Sequence, residues 1–109
     1  MADGHPLSDA AVNAARLVTF GEGAIVSRVL SKTASGTLTA FAFDGGQAIS
    51  EHTTSHEAFA LGLEGTFEFT VGGAVHLLTE GDLLKLPAGV PHGLCAKSRA
   101  KMLLVMFKV

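Results

Sequence analysis

Beyond residue 23, short runs rich in apolar and β-forming residues are separated by turn-forming residues, and the run at 37–43 alternates. Side chains two positions apart lie on the same face of a strand, so this period predicts half-buried β-strands. Gly72-Gly73, between two such runs, is typical of a two-residue hairpin turn. The pattern predicts about nine strands, over residues 24–30, 37–43, 47–53, 58–64, 67–71, 74–78, 82–86, 92–96 and 102–107.

Short strands that follow one another every 8–12 residues are typical of an antiparallel sandwich or barrel. The run at 102–107 is apolar at nearly every position, so we expect that strand to be central in a sheet or covered by a partner chain. The sequence therefore predicts an all-β fold.

The beginning of the chain has a different pattern. Residues 1–7 suggest a loose tail, and the alanine-rich residues 8–16 predict a short helix with Ser8 or Asp9 as its N-cap. We accordingly divide the chain into residues 1–20, a tail with a short helix, and residues 21–109, a single barrel domain.

Composition narrows the possible partners. The 109 residues are 48% hydrophobic and 17% charged, so part of the apolar surface is expected to lie in a homodimer interface. A net charge of −2 and scattered basic residues argue against nucleic-acid binding. No apolar run approaches the ~18 residues of a membrane span.

Two further features suggest the cytoplasm. The first residues lack the basic and then apolar pattern of a signal peptide. The single cysteine, Cys95, excludes an internal disulfide and fits a reducing compartment.

The strongest hint of chemistry is a histidine placed directly after a rigid turn. Residues 87–91 contain two prolines and a glycine, which restrict the backbone to a turn, and His92 follows at once. An imidazole presented in this way is suited to bind a ligand or to move a proton.

Two spaced motifs resemble those of small single-domain cupins of the conserved-barrel type. Gly46 is followed six positions later by His52 and then by Leu63-Glu64-Gly65, which resembles the first cupin motif. Gly81 through Pro87, Gly89 and His92 matches the second motif up to the histidine. The resemblance covers residues 46–96 and implies an antiparallel double-stranded β-helix, the jelly-roll or cupin barrel.

The resemblance also implies a metal site, with ligands in a His-x-His pair, a Glu and a last histidine. His52 and His92 stand at the first and last positions, whereas Thr54 and Ala58 occupy the other two. Ala96 replaces the Asn that often ends the second motif. Two of the four ligands that the family would supply are therefore absent.

His56 and Glu57 are candidates to complete this site. With His52 and His92, Glu57 would give a two-His-one-carboxylate set and His56 a three-His set, suited to one divalent Fe, Mn, Ni or Zn ion. Both residues are displaced from the family positions by one or two places, and a shift of one residue along a strand reverses the face. The alternative is that both are solvated turn residues and that no metal is bound.

Small side chains on the fourth predicted strand suggest a pocket. If Ala58 points inward, so do Ala60 and Gly62, while the large side chains between them point outward. The predicted ligand pocket comprises His52, Thr54, Ala58, Ala60, Gly62 and His92. Alternatively, large residues of other strands fill the space, such as Phe41, Phe43, Met102 and Met106.

Three functions remain open from the sequence. The first is a homodimeric barrel that binds a small molecule, a weakly held divalent metal or both near His52 and His92. The second is a metal-dependent oxygenase or isomerase that uses these histidines with His56 or Glu57. The third is a homodimeric scaffold without a site. Enzymatic activity is left undecided.

Overall fold

The computed structural model describes residue 7 and residues 10–108. Nine strands follow a short 3₁₀ turn, and each lies within a few residues of its predicted position. Their bounds are β1 Ile25–Thr33, β2 Gly36–Phe43, β3 Ala48–His52, β4 Glu57–Glu64, β5 Phe67–Val71, β6 Ala74–Leu78, β7 Leu83–Leu86, β8 His92–Ala96 and β9 Ala100–Phe107.

The strands form two antiparallel sheets. The five-stranded sheet has the order β1-β2-β9-β4-β7, and the four-stranded sheet has the order β3-β8-β5-β6. Strand β9 pairs with β2 on one side and β4 on the other, which confirms the central position predicted from its apolar sequence. The predicted all-β antiparallel fold is likewise confirmed.

The main core lies between the sheets. Its largest fully buried side chains include Phe43, Phe67 and Phe69, and the rings of Phe43 and Phe67 meet edge to face at 5.2 Å between centroids. On β4 the buried positions alternate with half-buried ones and are the small residues, so the predicted inward face is confirmed. Non-polar burial of this kind contributes about 25 cal/mol per Å² to folding.

The helix predicted at residues 8–16 is reduced to a single turn of 3₁₀ helix, Ala14–Leu17. Its N-cap is Asn13, whose Oδ1 accepts a hydrogen bond of 3.0 Å from the amide of Ala15. Val18 is extended and ends the turn. The predicted caps, Ser8 and Asp9, lie outside the described residues. In the described part of the chain, no helix is long and apolar enough to cross a membrane.

The segment around this turn covers part of the outer face of the five-stranded sheet. A second apolar cluster forms there, in which the side chain of Leu17 packs with Ala40 and Ala42 of β2. The guanidinium of Arg99 and the ammonium of Lys101 lie 5.1 and 4.8 Å from the ring centroid of Phe20. Cation–π contacts therefore help to hold the segment against the sheet.

Candidate ligand-binding site

His52 and His92 are paired across the four-stranded sheet. They are register partners on the adjacent antiparallel strands β3 and β8, after an irregularity in β3 between Ile49 and His52. The centroids of the two imidazoles are 4.4 Å apart, and the ring planes meet at 62°. Side chains of directly opposed residues point to the same face, so the strand pairing itself brings together two histidines that are forty residues apart in sequence.

The turn before His92 is tied to two other parts of the barrel. Gly89 adopts a φ of 77°, a left-handed conformation that favours glycine. Its amide donates a 2.8 Å hydrogen bond to the carbonyl of Thr54, and the Pro91 carbonyl accepts one of 2.8 Å from Gly72. These bonds fix the point at which β8 begins and hence the position of the His92 ring.

The hydrogen bonds of the histidines define which ring nitrogen is free. Nδ1 of His52 lies 2.9 Å from the carbonyl oxygen of Ser50, and Nδ1 of His92 lies 3.4 Å from that of Val90. A carbonyl oxygen only accepts, so in each neutral ring Nδ1 carries the proton and donates it. The lone pair of each ring is then on Nε2.

His92 is held in its neutral form by its surroundings. Its side chain is buried, with 7% of its surface exposed. Burial lowers the pKa of His92 below the ordinary value of 6.5, the hydrogen bond to Val90 opposes this effect, and the neighbouring His52 adds a further lowering. Its Nε2 therefore remains an acceptor at neutral pH.

A cavity of about 180 Å³ lies in front of the two rings. Among the described residues that line it, the two imidazoles are the only polar side chains and the others are apolar. These are Phe41, Ile49, Phe69, Leu86, Leu94, Met102 and Leu104. The arrangement is an apolar pocket with one polar wall.

Four residues of the predicted pocket do not line this cavity. Ala58 and Ala60 are buried in the main core. A Cβ at Gly62 would meet the carbonyl oxygen of Thr79. The absence of a side chain therefore allows the connection after β6 to pack against Gly62, and it does not enlarge the cavity. The hydroxyl of Thr54 donates a 2.9 Å hydrogen bond to the carbonyl of His56.

Glu57 and His56, the two candidates for further metal ligands, do not join His52 and His92 in one site. Glu57 is on the outer face of β4 with Phe59, and its carboxylate lies 3.6 Å from the ammonium of Lys85. His56 is in the turn before β4, and its Nδ1 is buried without a hydrogen-bond partner in the described structure. Within the described residues, no group of three or more His, Cys, Asp or Glu side chains is placed to hold a metal ion.

The donor set therefore does not fit the metal centre that the cupin motifs imply. Structural and catalytic zinc sites, for example, use at least three protein ligands, whereas the site here offers two imidazole nitrogens. Thr54 and Ala58 provide no replacement, since the Thr54 hydroxyl donates to the backbone carbonyl of His56 and the Ala58 side chain has no atom that can bind a metal.

Most of the cavity wall was not among the predicted pocket residues. The lining residues that were not predicted lie on β2, β3, β5, β7, β8 and β9. On each strand they occupy positions whose side chains point between the two sheets. Phe41 and Met102 were considered only as residues that would fill the space. Alternation could have identified the set as inward-facing, but only the relative positions of the two sheets show which inward residues border a gap.

These features define a two-sheet antiparallel barrel with a histidine-lined pocket between its sheets. The model of the family described as the cupin domain matches residues 40–107. The chain therefore belongs to the cupin domain family.

Solved structures agree with this assignment. A conserved protein of unknown function from Streptococcus pyogenes superposes with a TM-score of 0.90 at 28% identity, covering 97% of this chain and 93% of that one. A cupin superfamily protein from Desulfitobacterium hafniense has a TM-score of 0.90 at 24% identity, with 96% of each chain covered.

A cupin 2 conserved barrel domain protein from Leptotrichia buccalis has a TM-score of 0.82 at 30% identity, over 86% of this chain and 46% of that one. No curated protein sequence matches the chain.

Proposed function

We propose that this cupin binds a small, mostly apolar molecule in the cavity between its sheets, with His52 and His92 as the polar anchors. The observation that carries the proposal is the lining of that cavity, in which two adjacent imidazoles interrupt an otherwise apolar wall. Ligand pockets commonly combine an apolar surface with a few polar groups that set the orientation of the ligand.

The size of the cavity indicates that the buried part of the ligand is about one ring. Its volume of about 180 Å³ is below the roughly 300 Å³ at which drug-sized pockets begin. It is close to the roughly 150 Å³ of an engineered cavity that takes up benzene. The enclosed part of the ligand is therefore expected to be about the size of benzene, and the exposed His52 marks the side on which the pocket meets solvent.

The histidines favour a ligand that donates a hydrogen bond. Both Nδ1 atoms face backbone carbonyls, so the groups that remain available are the Nε2 lone pairs. A hydroxyl group can donate to such an acceptor, whereas an ionised carboxylate cannot. A phenol or a small alcohol matches the pocket in both size and hydrogen bonding.

Any divalent metal would be held weakly under this proposal. Two imidazoles supply half of a four-coordinate shell, and tight coordination requires ligand number and geometry together. Metal chemistry is therefore not part of the proposed function, and enzymatic activity is not assigned.

Titration with phenol, followed by amide chemical shifts in NMR spectra, tests the proposal directly. Toluene is the matched ligand, since it has the same ring but no hydroxyl. We expect saturable shifts in β3 and β8 and about fivefold tighter binding of phenol, from one net hydrogen bond of about 1 kcal/mol.

Phenylalanine variants test the role of the imidazoles. His52→Phe or His92→Phe keeps a ring of similar size but removes Nε2, so either change is expected to reduce the preference for phenol over toluene. His76→Phe is the matched control, because His76 is exposed on β6.

Three results would contradict the proposal. Absence of binding by both compounds would favour the scaffold without a site. Equal affinity for phenol and toluene would remove the histidines as anchors. Near-stoichiometric metal in the purified, untagged protein, lost in both His52→Ala and His92→Ala, would favour the metal-dependent enzyme.

We also propose that the protein is a homodimer. Support comes from the outer face of the five-stranded sheet, where Phe59 and Leu61 of β4 lie opposite Val105 and Leu103 of β9. Farther along this face, Leu83 is 66% exposed. Apolar patches that exceed what a monomer usually exposes indicate an interaction site, and a second copy is the partner that this chain itself supplies.

The cytoplasm remains the proposed location. Its support is the single cysteine, Cys95, which is half-exposed and free.

A further inference from the structure

A second concave site lies on the outside of the barrel, between the N-terminal segment and the edge strand β1. It is a surface cleft of about 260 Å³. Val18 and Val26 contribute its apolar part, and Arg16 and Arg28 its charged part. None of its lining residues belongs to the histidine cavity.

Four of the eight lysines and arginines of the chain have an acidic partner, and the two arginines of the cleft are not among them. Lys85, Lys97, Arg99 and Lys101 each lie within 4.0 Å of a carboxylate oxygen. In the described part of the chain, neither arginine of the cleft takes part in an ion pair. Two positive charges therefore border one cleft without compensation, in a chain whose net charge is −2.

Arg28 is oriented toward this cleft by the segment that forms its other wall. One guanidinium nitrogen, Nη1, donates a 3.0 Å hydrogen bond to the carbonyl of Leu17. A guanidinium has five N–H donors in a planar fork, so most of them remain available to a ligand. The bond also reduces the motion of the side chain, which lowers the entropy cost of binding.

Hydrogen-bond donors surround the arginines. Thr19 and Ser27 also line the cleft. β1 is at the edge of its sheet and pairs only with β2. An edge strand presents unpaired carbonyl oxygens as well as N–H groups, so the donors that favour an oxyanion are those of the arginines and the hydroxyls. Such a set is complementary to an oxyanion.

We propose that this cleft binds the phosphate group of a small phosphorylated molecule. Arginine recognises phosphate through paired N–H···O bonds, and the charge-assisted bonds are about twice as strong as neutral ones. A polyanion such as nucleic acid is not expected, because only two free arginines face the cleft and the net charge of −2 would repel it.

Inorganic phosphate is the probe that tests the site, titrated at constant ionic strength and followed by amide chemical shifts. We expect saturable shifts at residues 16–19 and 26–28. Arg16→Gln and Arg28→Gln are each expected to weaken phosphate binding about tenfold, from the loss of a charged hydrogen-bonding group.

Lys32→Gln is the matched control, because Lys32 is an exposed cation of the same strand that does not line the cleft. We expect it to change phosphate binding less than twofold. Because Arg28 also supports the N-terminal segment, Arg16→Gln provides a variant that leaves the Arg28–Leu17 bond in place.

The proposal would be overturned by an equal loss of affinity in Lys32→Gln and the two arginine variants, which would mean general charge attraction. Absence of saturable shifts would also overturn it. Binding of succinate as tight as that of phosphate would reject the phosphate assignment. Phenol binding should be unaffected by all three variants, so this site and the histidine cavity are tested independently.

Discussion

Burial sets the protonation of His92 and links the candidate site to the stability of the fold. The imidazole is removed from water, and its only described hydrogen bond is to the carbonyl of Val90. A charged ring would meet both the apolar cavity and the neighbouring imidazole of His52. Protonation of His92 at low pH should therefore destabilise the folded state and weaken ligand binding.

The lowered pKa of His92 predicts a loss of stability in mild acid. Above pH 6.5 the residue is neutral in the folded and the unfolded chain, so it adds no pH dependence. As the pH falls below 6.5, the unfolded chain takes up the proton first, and the free energy of unfolding decreases until the folded pKa is passed.

Urea denaturation at pH 7.5 and pH 5.5 measures this effect. We expect the decrease between the two pH values to be smaller in His92→Gln than in the unchanged protein. His76→Gln serves as the control and should retain the full decrease. An unchanged pH dependence in His92→Gln would show that burial of His92 is not its origin.

Single residues also show the limits of the sequence for the site. The motif spacing identifies His52 and His92 as candidates, and the register of β3 and β8 brings them together. Glu57 stands one position from the family's glutamate, and that single step puts it on the opposite face of β4, beside Lys85. Whether a gap remains between the sheets depends on packing across many strands, which no local pattern specifies.

Among the elements, strands were predictable and the helix was not. Alternation and glycine turns are local signals; both Gly72 and Gly73 have positive φ, as a tight hairpin turn requires. The alanine-rich start favoured a helix by propensity alone. In the structure, the turn begins only at Ala14 and packs against the sheet, so tertiary contacts determine its form.

The N-terminal segment is expected to stabilise the barrel through Leu17. This side chain is 9% exposed and packs against β2. Leu17→Ala should lower the free energy of unfolding by about 2–3 kcal/mol, since it removes buried methyl groups and leaves a cavity.

Val12→Ala is the control for this measurement by urea denaturation, because Val12 is 46% exposed. It should change the free energy of unfolding by less than about 0.5 kcal/mol. Equal effects of the two substitutions would mean that the segment does not pack on the sheet in solution.

For the whole molecule, the two sheets differ in what their outer faces expose. On the five-stranded sheet, Leu83 is 66% exposed and the rings of Phe59 and Phe107 meet edge to face at 6.0 Å, beside the ion pair of Glu57 and Lys85. The outer face of the four-stranded sheet exposes Val75 and Leu77 and also carries Glu68, whose carboxylate lies 4.0 Å from the ammonium of Lys97. We expect association through the five-stranded sheet, because Phe59 and Phe107 add aromatic surface to that face.

Light scattering tests this association. We expect a mass of twice the 11.2 kDa monomer and a shift toward the monomer in Leu83→Lys, because a charge would be buried in the interface. Val75→Lys, at a 61% exposed position on the other sheet, should leave the dimer intact. A monomeric unchanged protein would contradict the prediction.

Thr54 and Ala58 also restrict how this barrel could regain a metal site by mutation. A histidine at position 54 would remove the hydroxyl that bonds to the backbone of His56, and a glutamate at position 58 would bury a carboxylate in the core beside Leu86. Each substitution alone would destabilise the fold. Only the two together would complete a ligand set, so that metal binding could offset the loss. The two substitutions are therefore epistatic, and directed evolution toward a metalloenzyme should begin from the double variant.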